Sequence, residues 1–75
     1  MKQIHPEMVK ALRSYYPPGT RVELVCMEDP YTKLKPGDRG SVSFVDDTGT
    51  VFVAWDSGSH LGVVFNEDEI RKIDE

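Results

Sequence analysis

The sequence predicts a small, mainly β fold: five short strands bent into a barrel behind one short N-terminal α-helix. Three observations predict it. The chain has 75 residues, which is room for one domain and one core, so a single domain over 1–75 is expected, with a helix at about 5–15 and a barrel at about 20–73. Its single cysteine, Cys26, allows no internal disulfide, and the fold must stand on apolar packing alone. From Val22 onward the apolar residues are β-branched and aromatic, alternate with polar ones and are interrupted by turn residues, as strands require.

Residues 5–15 differ from the rest. They hold good helix formers and no glycine, with Met8, Ala11, Leu12 and Tyr15 spaced as one apolar stripe. Pro6 suits the first helical position, Glu7 meets the positive end of the helix dipole, and Arg13 lies near the negative end. Pro17, Pro18 and Gly19 then stop the helix. About three turns alone are marginal in water, so the stripe must dock on its own barrel, on a second copy, or on a larger protein.

The first strand, 20–27, points Val22, Leu24 and Cys26 inward and Arg21 and Glu23 outward. A polar loop over 28–38 follows, broken by Pro30 and the Pro36-Gly37 pair. A strand at 39–46 turns Val42 and Phe44 inward, and Asp46, Asp47, Thr48 and Gly49 supply a hairpin into 50–55. Val51, Val53 and Trp55 share one face there, leaving Phe52 and Ala54 on the other, where the helix stripe would cover Phe52. After a turn at 56–59, the strand 60–65 puts Leu61, Val63 and Phe65 on one face, with Gly62 at a bulge or bend. Asn66 opens a helical turn before a short closing strand through Ile73. A flat five-stranded sheet would leave one face wet, so the strands are expected to close as an SH3-like barrel. A five-stranded oligonucleotide-binding barrel would need longer strands and a helix after its third.

Several stretches carry a family resemblance. These are residues 16–25, Asp29-Pro30-Tyr31, Leu34 through Gly40, and Trp55-Asp56-Ser57-Gly58-Ser59 with Leu61-Gly62. Together they resemble the bacterial and phage family called domain of unknown function 4314 over roughly residues 15–73. That family label implies no activity, ligand or catalytic residue. Pro36 through Val42 with Gly49 through Trp55 is similar, more loosely, to the glycine-cornered strand pairs of SH3-like, Tudor-like and ribosomal KOW domains, a likeness that implies fold and not function.

Little in the chain suggests catalysis. Cys26 reads as a small buried hydrophobe, His60 as a solvated edge residue, and no ordered set of nucleophile and base appears. One Cys and two His lie far apart without ligand spacing, and the clusters Asp46-Asp47, Glu67-Asp68-Glu69 and Asp74-Glu75 lack the alternation of a calcium loop. No enzyme, metal or cofactor is expected. No apolar run nears the roughly 20 residues of a membrane span and no apolar leader opens the sequence, so a cytoplasmic protein without membrane contact is expected.

The binding residues expected instead lie near the long loop. Lys33, Lys35 and Arg39 gather around Tyr31, while the ring of Trp55 closes one end of the barrel. With an open edge, Trp55 would join Tyr31 and Tyr15 or Tyr16 in an aromatic groove of the kind that receives extended peptides. The expected function is therefore a non-enzymatic protein or peptide binding module anchored by Tyr31 and Trp55. The alternative is a nucleic-acid-binding accessory protein of a phage or mobile element, using Lys33, Lys35 and Arg39 on phosphates. The formal net charge of −4 opposes that alternative.

Overall fold

The computed structural model of the chain describes residues 5–28, 31–64 and 67–74. One helix, α1 (Pro6–Tyr15), precedes five strands: β1 (Arg21–Cys26), β2 (Arg39–Val45), β3 (Val51–Trp55), β4 (Gly62–Val63) and β5 (Glu69–Lys72). All strand pairings are antiparallel and form one sheet in the order β4-β3-β2-β1-β5. Among the described residues no ladder joins β4 to β5, so the pairing does not close into the expected barrel.

The helix forms where expected but buries a different face. His5 caps it by accepting the Glu7 N–H at Nδ1, 3.1 Å, and Pro6 opens its first turn. Val9 is buried, and Leu12 and Tyr16 pack against the core, whereas Met8, Ala11 and Tyr15 face solvent. Residues 9, 12 and 16 follow the i, i+3, i+7 spacing as well as the expected stripe does, and tertiary contacts decide between the two faces. Arg13 pins that phase from the next row, its Nε donating to the Val45 carbonyl at 3.1 Å and its Nη2 to Asp47 Oδ1 at 2.8 Å. The displaced Tyr15 stands edge-on to Tyr16, with the Lys72 ammonium 4.2 Å from its ring centre.

Alternation along the strands builds the core. Val22 and Leu24, Val42 and Val45, Val51, Val53 and Trp55, and Val63 all bury on one face of the sheet, joined by Leu34 from the loop after β1. Two register shifts bend the sheet and correct two expectations. Between Val42 and Phe44 the partners on β3 are consecutive, Val53 and Phe52, so Ser43 is the extra residue of a bulge. Val45 thus takes the inward place and Phe44 turns out, 52% exposed, to stack on Phe52 at 4.7 Å. Phe52, half-buried, stacks on Phe44, while Met8 and Tyr15 of the stripe expected to cover it are exposed. Between Leu24 and Cys26 a second shift against β5 leaves Val25 unpaired, and Cys26 is exposed rather than buried.

Close backbone approach fixes the centre. A Cβ on Gly40 would lie 2.6 Å from Val53 Cγ1 and 2.7 Å from the Ala54 carbonyl oxygen, so β2 crosses β3 at a point only glycine fits. Gly62 shows no register shift; it lies beneath the Phe52 ring, where a Cβ would sit 3.2 Å from Cε1. The β2–β3 hairpin turns on Asp46, whose Oδ1 accepts from Thr48 N, Thr48 Oγ1 and Thr50 N at 2.7 to 3.0 Å. Burial opposes ionisation of Asp46, but these bonds, helped by the Arg13 charge, outweigh it and hold the carboxyl below its ordinary 3.8. That contribution to stability is in place above the ordinary carboxylate range and is lost as pH falls through the lowered value. Gly49 completes the turn with φ of 83°, in the left-handed region.

Where the ladder stops, a side chain takes over. Asp68 accepts the Glu28 N–H at Oδ1, 3.1 Å, and the Val64 N–H at Oδ2, 3.0 Å, tying the end of β1 to the end of β4. The N–H groups of Glu67 and Asp68 both reach the Val64 carbonyl. The expected roles of Phe65 and Asn66 lie outside the described residues. Replacing Asp68 by Ala hands two exposed backbone donors to water, and the expected loss of about 0.5–1.5 kcal/mol per bond on chemical denaturation should come with faster amide exchange at Glu28 and Val64. Unchanged exchange at those two amides would contradict the latch.

Candidate functional site

The unclosed side of the sheet leaves a groove of about 430 Å³. The helix and its C-cap supply Leu12 and Tyr16 to it, β3 and the turn before it supply Val51 and Gly49, β4 supplies Val63 and β5 supplies Ile70. Helix phase places Leu12 and Tyr16, strand alternation places Val51 and Val63, and Ile70 packs against the core opposite Leu24 of β1. The register shift in β1 turns Cys26 into the same groove, and Glu67, Asp68 and Glu69 form an acidic rim. A second hollow of about 390 Å³, lined by Met27, Glu28, Leu61 and Val64, lies on the other side of Glu67 and Asp68. Asp68 is committed to its two backbone donors, whereas the side chains of Glu67 and Glu69 are exposed.

Tyr16 is the polar feature of the floor. Burial, and secondarily the neighbouring Tyr15, raises its phenol above the ordinary 10.0, so it is protonated at neutral pH and able to donate. No described side chain or backbone group takes its hydroxyl as a hydrogen-bond partner, although its ring is half-buried.

The residues expected to make contacts do not converge. Tyr31 is 92% exposed, and Lys33 and Lys35 face solvent beside it. The later half of their loop is fastened down: Leu34 is buried, Gly37 N donates to the Leu24 carbonyl at 2.8 Å, and Leu24 N donates to the Asp38 carbonyl at 2.7 Å. Asp29 and Pro30 lie outside the described residues. Trp55, the other expected anchor, is a core residue at 3% exposure, its indole N–H donating to the Leu61 carbonyl at 2.9 Å. An aromatic groove with an open Trp55 edge therefore does not exist. Arg39 sits on the outer face of the sheet, 3.6 Å from Glu23. Tyr16 alone of the expected set lines the groove.

Sequence reasoning missed Cys26, Glu67 and Glu69 as groove residues and Phe44 as an exposed ring stacked on the half-buried Phe52. The acidic run was visible, but nothing local showed that it borders an apolar floor. Among the described residues, no group of three or more His, Cys, Asp and Glu side chains is placed to hold a metal ion. No described helix is long and apolar enough to cross a membrane. What the groove offers chemically is apolar contact, one phenol, one thiol and a negative edge.

The family model described as domain of unknown function (DUF4314) matches residues 5–73. No curated protein and no solved structure matches the chain significantly.

The raised Tyr16 phenol has a direct signature. A pH titration followed by tyrosinate absorbance should show one tyrosine ionising above pH 10.0, and the late step should vanish in Tyr16→Phe. Because the folded pKa is the higher one, stability from the neutral phenol holds below 10.0 and is lost as pH rises past it. A titration unchanged by Tyr16→Phe would contradict the half-buried placement.

Proposed function

We propose that this chain, which belongs to the DUF4314 family of unknown function, is a non-catalytic binding module for polypeptide, with the groove between β4 and β5 as its principal contact surface. One observation carries the reading: an apolar floor holding a phenol without a described partner opens between two strand edges that have no ladder partner there. Strand edges present backbone N–H and C=O groups that an extended chain satisfies, and apolar positions between them select alternate side chains. The volume is within the range of about 300–1,000 Å³ common to binding clefts, but the lining offers no converging set of groups for chemistry on a substrate.

Charge selects the occupant. Glu67 and Glu69 edge the groove and the chain carries a net charge of −4, so an extended segment with an aliphatic side chain flanked by Lys or Arg complements it. The long loop plays a smaller part than the sequence suggested, since Trp55 is unavailable and the span 34–38 is bound to β1. Tyr31, Lys33 and Lys35 are outlying contacts in this reading.

Selection from an unbiased display library of short peptides should enrich aliphatic residues flanked by basic ones. The exposed double substitution Glu67→Lys, Glu69→Lys should weaken the selected peptides by about tenfold, and Tyr16→Phe by a few-fold. Enrichment of acidic or purely polar peptides, or equal binding to the charge-reversed variant, would overturn the assignment.

A further inference from the structure

Asp68 does at the seam what a neighbouring strand would do. Its Oδ1 accepts the Glu28 N–H at 3.1 Å and its Oδ2 the Val64 N–H at 3.0 Å, so one carboxylate serves a donor from each side of a gap that no ladder closes among the described residues. Its backbone is held separately, its own N–H donating to the Val64 carbonyl at 2.9 Å. The side chain can therefore swing away while the turn that carries it stays in place. Both of its bonds are exposed to solvent, where another acceptor competes for the donors.

The spaces on either side of this carboxylate divide the strand ends between them. Val63 lines the groove, while its neighbours Gly62 and Val64 line the second hollow; Cys26 lines the groove, while Met27 and Glu28 line the hollow. Alternation along β4 puts the two spaces on opposite faces, with Glu67 and Asp68 between them. An extended segment has the matching periods, since its successive side chains point to opposite faces and its successive carbonyls to opposite sides. Laid in the seam, it offers one carbonyl to Glu28 and the next to Val64.

Charge decides which acceptor can replace Asp68. Among the described residues lining either space there is no Lys, Arg or His, and the exposed Glu28, Glu67 and Glu69 carboxylates make no ion pair among the described residues. A free carboxylate, chemically the nearest substitute, is repelled there, whereas the neutral carbonyls of a peptide are not. A Lys or Arg on the same segment pairs with Asp68 once it is released.

We propose that Asp68 stands in for a bound peptide: an extended segment enters between the ends of β1 and β4, its carbonyls take over the Glu28 and Val64 N–H groups, and successive apolar side chains fill the groove and the second hollow. This rests on the reading of the groove as a peptide site, and adds the two main-chain donors, the second hollow and the latch. Because one carboxylate spans both donors, the latched seam is narrower than the two strand spacings of about 4.8 Å each that an inserted segment requires. Asp68 holds it closed until a segment carrying a cation draws the carboxylate out.

Nuclear magnetic resonance on the full chain tests this, with a hexapeptide capped at both ends, lysine-lysine-leucine-valine-lysine-lysine, as the probe. In the wild-type complex the amide protons of Glu28 and Val64 should lie close to the peptide backbone, and the probe's leucine and valine should divide, one against Val63 and the other against Met27 and Leu61. In Asp68→Ala the same two amides, fast-exchanging in the free chain, should slow at least about tenfold in the complex. Amides that contact no peptide backbone, or that still exchange fast in the Asp68→Ala complex, would overturn the proposal and leave the groove reading standing. Absence of binding would overturn both.

Discussion

A single sheet with one apolar face must bury that face against itself, because the ten-residue helix is too short to cover it. The rest of the structure follows from this constraint. Val22, Leu24, Val42, Val53 and Trp55 face one another across the curved sheet, and Val22 reaches zero exposure. Curvature of this degree needs local devices. Ser43 and Val25 supply it as the extra residues of two register shifts, and Gly40 supplies it by letting β2 and β3 approach where a methyl would collide. Helix α1 acts as a lid at one side of the core, held by Arg13, and not as a second layer.

Bending concentrates consequences at the seam. Strand β4 has two paired residues and β5 four, and among the described residues no ladder joins them. Asp68 ties the strand ends instead, and the space beside it remains apolar below and acidic above. The same curvature turns the opposite face outward as a convex surface, where the bulge at Ser43 has placed an aromatic pair. The candidate groove is thus a by-product of how a small sheet covers its core.

Much of this was legible in the sequence, and the failures share a cause. The helix bounds, the order of the strands, the hairpin on Asp46 through Gly49 and the burial of Leu24, Val42, Val53 and Val63 come from period and turn chemistry, which are local. A bulge is not local: Ser43 breaks the alternation only because Phe44 must face Phe52 across the ladder, so Phe44 and Cys26 were given the wrong faces. The helix phase failed likewise, because the stripes 8-11-12-15 and 9-12-16 satisfy the same period and only Val45 and Asp47, more than thirty residues away, choose between them. Of the expected contact residues, Tyr16 was found for its aromaticity but not for its place, and Trp55 proved structural because Leu61 accepts its N–H. In the sequence Glu67 and Glu69 belong to an acidic cluster without ligand spacing, and only the tertiary structure sets them beside an apolar floor.

The central claim is that the sheet wraps its core while β4 and β5, among the described residues, are not paired with each other, with Asp68 in place of a ladder. Cross-strand nuclear Overhauser contacts test it most directly. Backbone protons of Gly62 and Val63 should show contacts to β3 and none of the close pairs expected of an antiparallel ladder with Glu69 through Lys72, while those residues show theirs to β1. A continuous set of close backbone contacts between β4 and β5 would mean a closed barrel without the groove, and would contradict the account.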